Sequence, residues 1–275
     1  RKGTNELIPI KSCLMQREQG NLILDYLLNE GKDLLKHPDL YMVGIRTNEL
    51  GEAAVIFMTR KTLEWEIQGV LEGLKALHVT NVIHNINPKG YDHYGKTNKV
   101  LYQSKPWREL VGGREFHYSP TGFFQVNQEA QAHIVKRLNE LLQDYHHMPL
   151  IELYCGAGVL GLSLVTFDRV RGIEVSSEAI DFARRNAKAK KGDHLFMAGK
   201  AERLYEELAE KEPRHTLVVD PPRSGLHQSL IESIGRARPQ VIAYISCNPA
   251  TLARDLDQLN KLAYRLTYVE PVDMF

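Results

Sequence analysis

Between residues 149 and 270 short apolar runs alternate with amphipathic stretches of helical period, and this alternation narrows the possible folds more than any other feature. A strand with one wet face alternates apolar and polar residues. The runs within 149–154, 169–174, 215–219 and 240–246 are close to continuously apolar, as in strands covered on both faces. The pattern predicts strands over 149–154, 169–174, 194–197, 215–219, 240–246 and 264–270. Helices are expected over 158–166, 176–190, 201–210, 226–236 and 251–260. Repeated βα units of this kind give an α/β fold with a parallel sheet between two helical layers. Ligands bind such sheets at the carboxyl ends of the strands.

The segment before this has a different pattern. Residues 21–37 and 62–77 carry apolar residues at helical spacing, 41–60 reads as two strands around a turn at 48–51, and 79–89 as a strand with a proline stop. The stretch 101–113 ends on a glycine pair, and "HYSPTGFFQVN" (117–127) leads into a helix over 128–145. The expected division is a smaller α+β domain over 1–112 and a larger α/β domain over 113–275.

Charge excludes one mode of nucleic-acid binding. The chain has 275 residues and a formal net charge of +1. Up to residue 112 there are 15 basic and 13 acidic residues, and after it 20 and 21. Without a global basic field, RNA or DNA would be held by local patches. Candidates are Arg1 with Lys2, Lys96 with Lys99, Lys105 with Arg108, and "ARRNAKAKK" (183–191). Such runs are more often solvated faces.

Three dispersed cysteines, Cys13, Cys155 and Cys247, argue against a disulfide framework and for a reducing, cytoplasmic setting. No CxxC pair is present, so an iron–sulfur cluster or zinc site cannot be complete in this chain, and no metal ligands are assigned. No apolar run approaches a membrane span. The Arg start and the abrupt "PVDMF" ending suggest a piece of a longer protein.

The unusual short stretches of the α/β half all fall at strand ends. "LIELYCGAGVLG" (150–161) places Gly156, Gly158 and Gly161 at GxGxxG spacing, which suits a nicotinamide dinucleotide as well as S-adenosylmethionine. Glu152, just before the turn, is expected to meet a methionine ammonium. That favours the second cofactor. Glu174 ends the next strand and is placed to accept two ribose hydroxyls of either. In "VVDPPRSG" (218–225) two prolines stiffen the turn that presents Asp220, a geometry suited to the polar edge of a flat heterocycle. A simple strand terminator would need only one.

Cys247 sits at the lip of the following strand, in "YISCNPATLARDL" (244–256). A helix N-terminus favours a thiolate. Cys155, packed in the glycine loop, reads as structural, and Cys13 has no catalytic part. An adenosyl cofactor, a stiff carboxylate and a nucleophilic thiol on one rim suit methylation of pyrimidine C5. That carbon becomes nucleophilic only after a thiolate adds to C6.

These stretches, with "FFQVN" (123–127), "GIEVSSEAI" (172–180) and "VEPVDMF" (269–275), resemble the S-adenosylmethionine-dependent RNA 5-methyluridine (uracil-5)-methyltransferases of tRNA and 23S rRNA. The resemblance covers nearly the whole chain. It implies a Rossmann-like methyltransferase domain preceded by an RNA-contacting domain, and a cytoplasmic monomer. It implies that Gln125, Tyr154, Glu174 and Asp220 contact the cofactor or its surroundings. Asp220 would also position the uracil, and Cys247 would be the nucleophile. The family's general base, a glutamate, would lie beyond Phe275. Cys13 is similar to the last cysteine of the iron–sulfur set some members carry. The "DMF" ending is closer to the 23S rRNA branch than to the tRNA branch. The alternatives are the same chemistry on tRNA and, behind it, a non-catalytic RNA-binding module of the same fold; a patch of Lys96, Lys105 and Arg108 is expected to meet phosphates.

Overall fold

The computed structural model describes residues 12–14, 16–64, 66–90, 94–125 and 127–274, and the candidate pair Arg1 and Lys2 lies outside them. The chain divides into two compact units, Arg1–Leu110 and Val111–Phe275.

The first unit contains α1 (Glu18–Asn29), α2 (Lys32–Leu35), β1 (Leu40–Thr47), β2 (Ala53–Thr59), α3 (Gln68–Ala76), β3 (Val79–Ile86) and β4 (Thr97–Gln103). The strands form one sheet in the order β1-β2-β3-β4, with only the β2–β3 pair parallel. α1 and α3 bury Ile23, Leu27, Val70 and Leu74 against Val55 and Phe57 of β2. The helix expected over 21–37 breaks at Gly31, where an added Cβ would press within 2.8 Å of the Leu27 carbonyl.

The phosphate patch expected in this unit is modified by an ion-pair cluster. Glu52 is buried (3% exposed). It receives Lys105 at 2.6 Å and Arg108 at 2.9 Å, and Asn48 donates to it at 3.2 Å. Burial pushes its carboxyl up, but the bonds from Arg108, Lys105 and Asn48 outweigh it and leave it below its ordinary value. Two of the three expected phosphate cations therefore share one buried carboxylate, which offsets one of their two charges.

A short hairpin of β5 (Arg108–Val111) and β6 (Arg114–His117) follows. The second unit continues with α4 (Gln128–Leu141), β7 (Leu150–Leu153), α5 (Val159–Ser163), β8 (Arg169–Glu174), α6 (Ser177–Ala187), β9 (Asp193–Ala198), α7 (Ala201–Lys211), β10 (Thr216–Val219), α8 (Gln228–Ala237), β11 (Val241–Tyr244) and α9 (Pro249–Lys261). Among the described residues β7 to β11 form one sheet, all parallel, in the order β11-β10-β7-β8-β9. The chain winds outward from β7 to β9, then returns to the other side of β7 for β10 and β11. The winding reverses between β7 and β10, where doubly wound sheets bind ligands. β7 and β10 are wholly buried, as their near-continuous apolar sequence requires.

One expected strand does not form. Residues 264–270 follow a turn at Ala263 (φ 69°), and 265–270 run exposed without a ladder to β11. Side chains hold this segment instead: Glu270 pairs with His133 and Arg137 of α4, and Arg137 also donates to the Tyr268 hydroxyl. Among the described residues, no helix is long and apolar enough to cross a membrane.

Candidate active site on the carboxyl rim of the sheet

The strand order sets the order of the loops. Cys247 follows β11, Asp220 follows β10, the glycine loop follows β7, and Glu174 ends β8. Backbone bonds continue each pairing past the strand ends, from Ile245 to Val219 (2.9 Å), Asp220 to Leu153 (3.5 Å) and Cys155 to Ile173 (3.1 Å). Neighbouring strands lie about 4.8 Å apart, so the loops after β11 and β7 stand roughly 10 Å from each other.

The glycine loop is built as the spacing predicts. Tyr154 (φ 63°), Gly156 (φ 52°) and Gly158 (φ 74°) all take left-handed backbone. For a tyrosine this is a strained conformation, of a kind concentrated at functional sites. The Tyr154 hydroxyl donates to Glu202 of α7 at 3.3 Å, and burial pushes its pKa up.

Glu152 takes a different part from the one expected. It is 2% exposed and lies beneath the loop, where Oε2 accepts the Gly161 N–H at 3.0 Å. Burial pushes its carboxyl up to about 8, so it is largely neutral at pH 7. A Cβ at Gly161 would collide with that carboxyl oxygen. Glu152 therefore anchors the first turn of α5 from below. Cys155 is buried, and burial raises its thiol pKa well above the ordinary value, as suits a packing residue.

Glu174 is placed at the lip. Its Oε2 accepts the Gly156 N–H at 3.3 Å and its Oε1 the Ser176 N–H at 2.9 Å. Each oxygen keeps acceptor capacity for a hydroxyl. Beside it opens a cleft of about 520 Å³, bordered by Tyr154, Glu174, Lys200, Glu202 and His227 among others. That volume falls within the range of small-molecule sites, about 300–1,000 Å³. The cleft and the paired acceptors of Glu174 fit an adenosyl group. Glu202, Lys200 and His227 carried no recognisable sequence signal, because they sit in ordinary helix starts.

Gln125 is half-buried on the segment before α4, next to Phe124, which stacks on Tyr118 at 4.6 Å between ring centroids. Asn127 then caps α4 by accepting the Ala130 N–H. This segment is tied to the glycine loop by buried Asn186, which donates to the carbonyls of both His117 (2.9 Å) and Ala157 (3.0 Å) and accepts the His117 N–H. Asn186 lies inside the run "ARRNAKAKK", where its neighbours' charges obscured it.

On the other side of the rim, Asp220 is half-buried, and burial pushes its carboxyl up to about 6. Cys247 is exposed. Asn248 caps α9 by accepting the Ala250 N–H at 3.1 Å, with Pro249 at the first helical position. Thr251 and Asn248 both donate to the Arg223 carbonyl, at 3.2 and 3.1 Å, joining the Asp220 loop to the Cys247 loop. Among the described residues, no group of three or more His, Cys, Asp or Glu side chains is placed to hold a metal ion.

Comparison with known proteins bears on the family and the fold. The chain is 32% identical over 295 residues to an uncharacterized RNA methyltransferase of Bacillus cereus, covering 100% of this chain and 63% of the relative. It is 34% identical over 290 residues to one of Streptococcus agalactiae, with coverage of 100% and 63%. The chain thus spans less than two thirds of the length of these relatives. Among solved structures, the Pyrococcus abyssi tRNA (uracil-54, C5)-methyltransferase in complex with S-adenosyl-L-homocysteine has a TM-score of 0.73 at 23% identity, over 92% of this chain and 64% of that one. It shares the Rossmann-like fold. Residues 2–275 match the family described as tRNA (uracil-5-)-methyltransferase, and the chain belongs to that family.

Proposed function

We propose that the protein methylates C5 of a uridine in RNA, with S-adenosylmethionine as methyl donor and Cys247 as a covalent nucleophile. The observation that carries this reading is an exposed cysteine on a loop hydrogen-bonded to the Asp220 loop, on the same rim as Glu174 and about three strand spacings from it. Family membership and the S-adenosyl-L-homocysteine bound to the Pyrococcus abyssi neighbour support the cofactor.

In this reading Glu174 accepts the ribose hydroxyls, and Tyr154 and Gln125 line the cofactor's surroundings. The cofactor, when bound, supplies an electrophilic methyl. Asp220, ionised above about pH 6, accepts the uracil N3–H and holds the ring over the rim. The Cys247 thiolate adds to C6, and the electrons of the C5–C6 bond move to C5 and O4 as an enolate. C5 would then take the methyl group from the sulfonium, the S–CH3 bond breaking to leave S-adenosyl-L-homocysteine. A base then removes the C5 proton, the C5–C6 double bond re-forms and the thiolate leaves. The family resemblance assigns that base to a glutamate beyond Phe275.

The "DMF" motif favours 23S rRNA as the substrate, whereas the family and the Pyrococcus abyssi neighbour are named for tRNA. One experiment addresses both the chemistry and the branch. Full-length protein is incubated with tritiated-methyl S-adenosylmethionine and separate pools of unmodified 23S rRNA and tRNA, followed by nucleoside analysis. Label in 5-methyluridine from 23S rRNA alone is expected; label from tRNA alone moves the protein to the other branch. No label in either pool, with cofactor bound, overturns the proposal.

A further inference from the structure

The two loops that present Cys247 and Asp220 converge on a charged pair that contacts neither uracil nor cofactor in the reading above. Asp255, on α9, is 0% exposed. Its Oδ2 accepts the Leu226 N–H and the Tyr244 hydroxyl, each at 2.7 Å. Its Oδ1 accepts two guanidinium N–H groups of Arg254, at 2.8 and 2.7 Å. Arg254 in turn donates to the carbonyls of Ser224 (2.9 Å) and Leu226 (3.3 Å). Leu226 closes the loop that starts at Asp220. Tyr244 ends the strand that launches Cys247. One carboxylate thus holds the far end of one loop and the root of the other.

The packing leaves no slack. Gly225 sits at φ 76°, and a Cβ there would come within 2.5 Å of Asp255 Oδ2 and 2.6 Å of Arg254 Nη2. The Tyr244 hydroxyl pKa is pushed up by burial and by Asp255, so the phenol stays a donor. Such a pair is weak evidence for stability, because the Arg254 side chain is half exposed and screened by solvent, and desolvation of Asp255 offsets the attraction. A pair that joins two loops bearing reactive groups has a geometric consequence instead. Misplacing reacting groups by about 1 Å can cost on the order of a hundredfold in rate.

We infer that Asp255 and Arg254 are positioning residues, which hold the Asp220 loop and the Cys247 loop at the separation that thiol addition to the uracil requires. This rests on the methyltransferase reading above. Neither residue borders the cofactor cleft. Their loss therefore slows the covalent step and spares cofactor affinity, whereas a general loss of fold would lower both.

The test uses full-length protein with Asp255→Asn, Arg254→Lys and Tyr244→Phe. Covalent adduct formation with 5-fluorouridine RNA and the Kd for S-adenosyl-L-homocysteine are measured, with hydrogen exchange of the peptides over 222–226, 246–251 and 152–161. Asp255→Asn is expected to slow adduct formation about tenfold or more while changing the Kd less than about threefold. Exchange over 222–226 and 246–251 should rise together, with 152–161 unchanged. Arg254→Lys, which keeps the charge but loses the fork, should be intermediate. Tyr244→Phe removes one hydrogen bond and keeps the ring, so it serves if Asp255→Asn does not fold. It should slow adduct formation by about two- to fivefold. Wild-type adduct rates in these variants, or a Kd loss matching the rate loss, overturn the inference. If the wild type forms no adduct, the methyltransferase reading fails instead, and exchange of the two loops still decides whether Asp255 joins them.

Discussion

Asn248 donates its side-chain amide to the carbonyl of Arg223 at 3.1 Å while its side-chain oxygen caps α9 at the Ala250 N–H. One residue thus starts the helix behind Cys247 and binds the neighbouring loop. The two tasks can be separated. Asn248→Asp keeps the capping oxygen and loses the donor; Asn248→Ala loses both. Asn248→Ala should cost about 1 kcal/mol of stability, the usual cost of a lost N-cap. Asn248→Asp should melt close to wild type yet form the RNA adduct more slowly. Thermal melts and adduct kinetics, measured together, check this.

Cys247→Ala should abolish the covalent complex with 5-fluorouridine RNA and leave S-adenosyl-L-homocysteine affinity unchanged, because the thiol stands outside the cleft residues. Gel mobility under denaturing conditions reads the complex. Retention of the adduct in this variant would remove Cys247 from the mechanism.

Glu174→Gln exchanges a carboxylate for an amide whose nitrogen cannot accept. Hydrogen bonds to a charged group contribute about 1.5–3 kcal/mol. Cofactor affinity should therefore fall by roughly tenfold to a hundredfold in a calorimetric titration. The variant should still fold, because the amide oxygen can keep one of the bonds from Gly156 and Ser176.

Asp220 links stability to pH. Its carboxyl is raised to about 6 by burial, against about 3.9 in an unfolded chain. Between these values the folded protein holds a proton that the unfolded chain has released. Its stabilising contribution is therefore complete below about pH 4 and is lost as pH rises through about 6. Asp220→Asn, which stays neutral, should melt near wild type at pH 4 and higher at pH 8, by on the order of 3 °C. The same variant should lose methylation at pH 8, where the wild-type carboxylate is ionised. Melts at the two pH values check the sign.

Gly161→Ala should destabilise by about 1–3 kcal/mol, since the added methyl meets the buried Glu152 carboxyl and the side chain of Val170. Chemical denaturation measures the loss, and a cost below ~0.5 kcal/mol would show that the anchor beneath the glycine loop can shift.

The parallel-sheet pattern, the glycine turn and the lips carrying Glu174, Asp220 and Cys247 were legible in the sequence. Each depends on local chemistry: apolar runs, glycines where φ must be positive, prolines that stop strands, and Asn248–Pro249 at a helix start. What the sequence could not contain was any contact between distant segments. Glu152 looked like a ligand group, but tertiary packing buries it under Gly161. Lys105 and Arg108 looked like free cations, but the sheet brings them to Glu52. Residues 264–270 had strand composition, yet a strand exists only where a neighbour offers a ladder, and there the segment is held by side chains of α4. Asn186 and Asp255 look like unremarkable helix residues in one dimension. Their importance arises because buried polar groups must find partners, and folding supplies those partners from loops 29 to 69 positions away.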